Sequence, residues 1–508
     1  MCAMRSGAPE NKYLSRIAAL PCNGPPSMDA QPRVGRTRLT AATSFAYALG
    51  AIAFGVKESG LQLFLLLFYG QVLGLPEAWV ATGIMLALVI DALIDPLIGQ
   101  FSDELSSRWG RRHPLLYAAA LPAGLAYASL WNPPSGLTSA TLFGYFFSCL
   151  VLVRVLLSLV EIPGAALIAE LSRDYHRRTA LISQRTLSSW CGGLSVNTFT
   201  FSVLLADSPG APRGILRASG YHSYGLLAGA VIAGSTLIAA WGTHHLIPHL
   251  KRPFRSPSTS SRLPEIREAL RSPALRVMLL SGVFGAMAAG IVIGLDMYVG
   301  VFFWRLSSRQ MAAFPGVYLL AVVLSSLMVA PLSRKFGKRA AALTTGLAGV
   351  LVGPVPVLAA LSGVFPARES SAFFPLLLAF CGASVLLRVT TGTLCVSMLT
   401  DVVEEHELRT HRRSEGLLTA GTTLIQKTMS GVGVLASGLI LTVVHFPRNA
   451  QPGSVDPALL QDLVLLYVPL VTALGIGSVL LLARYPIDRK AHERNLQLLD
   501  RAAPQVTS

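Results

Sequence analysis

Leu88-Val-Ile-Asp-Ala-Leu-Ile-Asp-Pro-Leu-Ile-Gly99 sets two carboxylates, Asp91 and Asp95, four residues apart inside an otherwise apolar run. At helical spacing, residues i and i+4 share one face, so both acids point at one place. An ionised group inside a low-dielectric layer is costly unless it faces a partner or a water-filled path, which makes such groups functional candidates. A basic turn, Arg108-Trp-Gly-Arg-Arg-His-Pro114, follows directly. The pattern predicts the coupling site of an ion-driven carrier built from membrane-spanning helices.

Composition agrees. Of the 508 residues 52% are hydrophobic and 13% charged, against about 25% charged in soluble domains, and mean hydropathy is +0.55. Apolar runs of about 20 residues, long enough to cross a bilayer, recur from Leu39 to Arg484. Twelve spans are predicted, at 41–72, 78–101, 114–133, 138–170, 180–205, 221–243, 275–304, 310–332, 339–362, 370–400, 416–445 and 460–483. The six cysteines lack metal-ligand spacing, so no metal site is expected, and four of them read as packing residues within spans. No phosphate-binding glycine loop, nucleophile elbow or metal motif marks an enzyme.

The net charge of +16 could suggest a nucleic-acid partner, but its placement argues otherwise. With both termini on one side, 32 of the 42 Lys and Arg fall in the tails and loops of that side or at their edges. The opposite loops hold only Arg213, Arg217, Arg305, Arg309, Arg368 and Arg448. That bias predicts a multi-pass protein of the cytoplasmic (inner) membrane with both ends in the cytoplasm. Residues 1–38 are basic but contain no apolar core of signal-peptide length, and are expected to form a disordered tail.

The spans divide into an N-terminal half at 39–243 and a C-terminal half at 275–484, with a central cytoplasmic loop at 244–274 and a cytoplasmic tail at 485–508. In the central loop, Leu263-Pro-Glu-Ile-Arg-Glu-Ala-Leu-Arg271 fits either a short amphipathic surface helix or a solvated linker. Two matched pairs of loops support the division. Asp103-Glu-Leu-Ser-Ser-Arg-Trp-Gly-Arg-Arg112 corresponds to Leu332-Ser-Arg-Lys-Phe-Gly-Lys-Arg339. Glu170-Leu-Ser-Arg-Asp-Tyr-His-Arg-Arg178 corresponds to Glu407-Leu-Arg-Thr-His-Arg-Arg413. Repeats at equivalent places in two six-helix halves are the major facilitator plan.

Several of these segments together resemble the glycoside–pentoside–hexuronide:cation symporters, the melibiose-permease family. They are Asp91-Ala-Leu-Ile-Asp-Pro96, Asp103, Arg108 to Pro114, Glu161-Ile-Pro163, Arg185, Asp401 to Thr410, and Gln426-Lys427. The resemblance implies an all-α fold of twelve helices and cation-coupled symport of a sugar or other small polar solute. It implies coupling at Asp91, Asp95 and Glu161, and substrate contact from Lys57, Glu58, Glu161, Arg185 and Lys427. The basic loops would act as a cytoplasmic gate through Asp103, Arg108, Gly110, Arg111, Arg112, Glu407, Arg409 and Arg413. No cofactor is implied beyond the co-transported ion. Sodium-coupled members carry an amide where this chain has Ile94, which favours H+ over Na+. The aromatic that stacks on sugar would fall near Ala165.

Blander roles stay open for each charge. Asp95 fits a helix anchor before Pro96, Asp91 could pair with Lys57, and Arg154 could be the partner of Glu161. Asp296 and Arg388 read as lone charges of the second half. A carrier of lysolipid-like amphiphiles and a non-transporting membrane sensor are the competing functions. The carrier is expected to be monomeric, with a small-molecule substrate and membrane lipid as its partners.

Overall fold

In a computed structural model the chain is described at residues 40–172, 174–207, 214–249, 267–410, 415–487 and 494. The predicted disordered tail, residues 263–266 of the amphipathic segment, and Arg413 lie outside these residues. Among the described residues, twelve long helices account for the twelve predicted spans. In the first half they are α1 (Ala41–Val72), α2 (Glu77–Glu104), α3 (His113–Leu130), α4 (Ser139–Leu171), α5 (Tyr175–Phe199) and α6 (Ala218–His244). In the second half they are α7 (Pro273–Phe303), α8 (Ser308–Phe336), α9 (Lys338–Leu361), α10 (Phe373–Thr410), α11 (Glu415–Val443) and α12 (Pro457–Leu482). Local chemistry sets several starts: Thr138, Asp174, Ser272 and Asp456 cap their helices with a side-chain oxygen on a free backbone N–H.

Ten of the twelve are long and apolar enough to cross a membrane by length and composition. The other two are α3 and α5. The polarity of α5 has a structural reason: Arg185 on it meets Tyr47 of α1 and the backbone of α4, so this helix turns part of its surface to a charged interior. One boundary differs materially from expectation. Residues 401–410, read as a loop, continue α10 to Thr410, because Asp401, Val402, Val403 and His406 are buried and hold the helix against its neighbours.

The two halves repeat each other. α1 packs on α5 and α6, α3 on α4 and α6, and α2 on α4; the equivalent pairs α7 with α11 and α12, α9 with α10 and α12, and α8 with α10 recur in the second half. The repeat extends to backbone detail. α1 and α7 both end in a π-helical turn, Phe68–Val72 and Val299–Phe303. Each turn closes with the same pair of bonds: Leu73 N to Phe68 O and Leu75 N to Tyr69 O in one, Trp304 N to Val299 O and Leu306 N to Gly300 O in the other.

Across the halves the main contact joins α2 to α11, with lesser ones between α1 and α7 and between α5 and α8. Glycines let α11 approach α2. A Cβ on Gly431 would lie 3.2 Å from the Cα of Met85, and one on Gly438 would lie 2.8 Å from the carbonyl oxygen of Glu77. Further ties sit at the end of the bundle where α1 turns into α2 and α11 into α12. Gln71 donates to the Pro447 carbonyl at 3.2 Å and accepts from Ala450 N at 3.0 Å. Asp207 accepts from Ser308 N at 3.2 Å and from its hydroxyl at 3.0 Å.

Candidate functional site

Asp91 and Asp95 lie one turn apart on α2, facing α4 and α11. Pro96 follows them within the helix. Asp91 is 2% exposed. Its Oδ2 stands 3.4 Å from Arg154 Nη1 of α4 and 2.9 Å from Lys427 Nζ of α11. Lys427 also reaches Asp95 Oδ2 at 2.5 Å. One lysine of the second half is thus held by two acids of the first. The hydroxyl of Ser158 sits between the same carboxylates, 3.1 Å from Asp91 Oδ1 and 2.7 Å from Asp95 Oδ1. Ion pairs here offset the desolvation of groups that would otherwise be driven to neutrality.

A second set adjoins the first on α1, α4 and α5. Lys57, buried, has Glu58 Oε2 at 3.4 Å and Glu161 Oε2 at 3.6 Å. Gln62 donates to Glu58 at 2.7 Å, one turn along. Arg185 donates to Tyr47 Oη at 3.3 Å and to the backbone carbonyl of Glu161 at 3.4 Å, while Tyr47 donates to the Gly164 carbonyl at 2.7 Å. These bonds gather around Pro163, where α4 lacks one N–H. Asp91, Asp95, Lys57, Glu58, Glu161, Arg185 and Lys427 therefore belong to one neighbourhood. Two pairings differ from those considered from the sequence: Arg154 serves Asp91 rather than Glu161, and Lys57 serves Glu58 and Glu161 rather than Asp91. Proximity along one helix suggested the first, but Arg154 and Glu161 are seven residues apart on α4 and α2 intervenes with a nearer acid.

The basic turns form clusters at the opposite end from Gln71. Arg112 is buried and meets Asp103 Oδ1 at 2.5 Å, Ser102 Oγ at 2.7 Å and Glu170 Oε1 at 3.2 Å; Arg111 reaches the same Glu170 oxygen at 2.7 Å. Gly110 supplies the left-handed turn between them, with φ +76°. Arg108 lies over the Trp109 ring. In the second half, Gly337 (φ +80°) precedes Lys338, which reaches Asp401 at 2.6 Å. Glu407 and Arg409 sit on the last turns of α10, and no described bond brings them to either cluster. Sequence reasoning named the arginines but not their shared acid, Glu170, nor Asp401 as a partner, although Glu170 stood in a quoted repeat and Asp401 in a segment that carries the resemblance.

A sequence profile of the MFS/sugar transport protein family matches residues 46–489. The chain belongs to this family. An uncharacterized symporter of Synechocystis sp. is 26% identical over 89% of this chain and 95% of the relative. The isoprimeverose transporter of Lactiplantibacillus pentosus is 23% identical over 88% of each. Among solved structures, a D-xylose-proton symporter superposes with TM-score 0.60 at 15% identity, covering 89% of this chain and 98% of that one. The fold is therefore the major facilitator fold, and the protein is a secondary symporter, a multi-pass transporter rather than an enzyme.

Three further residues of the symporter's site were not singled out by sequence: Ser158, Tyr47 and Arg154 as partner of Asp91. Tyr47 and Ser158 are uncharged and carry no periodic signal. Only their position against a charged helix distinguishes them. In the second half, Asp296 of α7 and Arg388 of α10 line a cavity of about 450 Å³ together with Tyr318 and Tyr467. Among the described residues no group of three or more His, Cys, Asp and Glu is placed to hold a metal.

Proposed function

We propose that the protein couples the entry of a cation, H+ in preference to Na+, to symport of a glycoside or other small polar solute by alternating access. The observation that carries this reading is Lys427 of one half held between Asp91 and Asp95 of the other. A cation arriving on either acid weakens that tie, so ion binding and the relation of the two halves share one set of bonds. Lys57, Glu58, Glu161 and Arg185 form the adjoining polar wall that would meet the solute, with Glu161 joining the acids in coupling. The clusters of Asp103, Arg111 and Arg112 with Glu170, and of Lys338 with Asp401, would steady the cytoplasmic gate.

Proton inventory supports H+. A hydroxyl has one hydrogen to donate, yet Ser158 Oγ lies within bonding distance of both carboxylates. With both acids ionised, one of those contacts lacks a hydrogen. One added proton completes the row: the protonated acid donates to Ser158, which donates to the other acid. A sodium ion needs several oxygens at set distances, and Ile94 contributes none.

The charge bias would put both termini in the cytoplasm and the ties of Gln71 and Asp207 at the outer end. The protein would work as a monomer in the cytoplasmic membrane. The deciding experiment is uptake into proteoliposomes with a panel of labelled glycosides and polar solutes, driven in turn by proton and sodium gradients. The expected result is accumulation that follows the pH gradient and collapses with a protonophore. Stimulation by sodium at constant pH, with no response to protonophore, would overturn the choice of ion.

A further inference from the structure

Gln71 sits in the π-helical turn that ends α1, Phe68–Val72. The equivalent position in the turn that ends α7, Val299–Phe303, is Phe302. π-helical turns collect at functional sites, and here the repeat exchanges an aromatic for an amide. Gln71 is 2% exposed. Its nitrogen donates to Glu77 Oε1 at 2.7 Å and to the Pro447 carbonyl at 3.2 Å, and its oxygen accepts from Ala450 N at 3.0 Å. A side-chain amide has two hydrogens to give, and both are in use.

These three partners divide between the halves. Pro447 and Ala450 belong to the loop between α11 and α12, whereas Glu77 opens α2 in the same half as Gln71. The loop bends to meet the amide: Asn449, between the two contacts, has φ +50°, a left-handed conformation that Asn adopts more readily than most residues. The other side is crowded too. A Cβ on Gly70 would lie 2.7 Å from Tyr298 Oη of α7 and 3.3 Å from Glu77 Cγ. Glu77 is itself 5% exposed. The free N–H groups of a helix start favour a carboxylate there. Among the described residues no ion pair within 4.0 Å serves it, and the Gln71 amide is its side-chain hydrogen-bond partner.

A free glutamine side chain loses much rotamer freedom when it is fixed. The bond to Glu77 lies within one half, so it can persist when the halves part at this end, while those to Pro447 and Ala450 break. We propose that Glu77 is the positioning residue of this latch: its carboxylate holds the Gln71 amide toward the second half, ready to engage Pro447 and Ala450 at each closure. The proposal rests on the alternating access proposed above. Its test needs neither solute nor ion gradient, so the two can fail separately.

The experiment is hydrogen–deuterium exchange of the full chain in nanodiscs, read on the backbone between Pro447 and Pro452. Proline has no N–H, so this stretch reports only Arg448, Asn449, Ala450 and Gln451. Gln71→Ala should speed exchange of the buried Ala450 N–H. Glu77→Gln conserves volume, and no described bond joins Glu77 to the stretch. It should nonetheless speed the same exchange about tenfold, the loss of one charged hydrogen bond. Combining Gln71→Glu with Glu77→Gln should slow exchange again, because the new amide at 77 can donate to the new carboxylate at 71, which still accepts from Ala450. An acid that merely fills its place would give no such rescue. Thermal melting of each variant reports whether it is folded. Wild-type exchange in folded Gln71→Ala, wild-type exchange in folded Glu77→Gln, or a double variant no slower than Glu77→Gln would each overturn the proposal.

Discussion

The two halves share a fold but treat their interior charges in opposite ways. In the first half every acid near the midplane touches a base: Asp91 has Arg154 and Lys427, Asp95 has Lys427, and Glu58 and Glu161 have Lys57. In the second, Asp296 and Arg388 line one cavity and no described ion pair within 4.0 Å joins them. A repeat that preserves helix packing, π-helical turns and gate glycines has thus diverged where charge is concerned. On the proposed mechanism, paired charges would store a rearrangement that an arriving ion can trigger.

The largest expected effect breaks the paired side. Lys427→Ala removes the only described link from α11 to both acids of α2 and leaves a buried carboxylate less compensated, at about 3–5 kcal/mol. Uphill transport should vanish, and thermal melting in detergent should fall. Adding Asp95→Asn should restore melting more than transport. Normal transport by Lys427→Ala would dissolve the difference between the halves.

Asp91→Asn and Asp95→Asn come next. Both conserve volume, so the proteins should fold. Accumulation against a gradient should be lost while some exchange of solute down its gradient persists. Accumulation at wild-type level in both would remove these acids from coupling.

Ser158→Ala should have a milder effect. It deletes the bridge between the carboxylates, a bond to a charged group worth about 1.5–3 kcal/mol. The pH giving half-maximal uptake should shift, with expression unchanged, and Ser158→Thr should restore it. An unshifted profile in Ser158→Ala would show that the hydroxyl is only packing.

The smallest effect belongs to the second half. Asp296 has no described ion pair within 4.0 Å, so the stability of Asp296→Asn should change by less than about 1 kcal/mol. A loss as large as that of Lys427→Ala would mean that Asp296 and Arg388 are paired in the working protein, and the contrast would fail.

Much of the fold was legible because a bilayer demands long apolar runs and because the basic loops come in matched pairs. The α10 extension was hidden by its composition. Asp401-Val-Val-Glu-Glu-His-Glu reads as a charged loop, and only burial of Val402, Val403 and His406 on one side shows it to be helix. The α5 helix was found although its apolarity is weak, since its position in the repeat compensated. At the site, charge in an apolar run revealed the members but not their partners. Helix spacing relates residues on one helix, whereas Asp91 to Arg154 and Lys427 are relations between helices. The large cavity left no trace beyond the lone charges Asp296 and Arg388, for valines and glycines that line a void look the same as those that fill one.

The ties that hold the halves together at the Gln71 end have one more consequence. They consist of an amide on backbone groups and a carboxylate on a backbone N–H and a hydroxyl, with no lysine or arginine among them. Dissolved salt screens attraction between exposed ions, but it has little hold on bonds of this kind. At the other end Glu170 and Asp401 are buried in their clusters, and of the described contacts there only that of Arg112 with the well exposed Asp103 lies open to such screening. Rising salinity would therefore weaken at most that exposed contact and leave the Gln71 end as tightly sealed against brine as against fresh water.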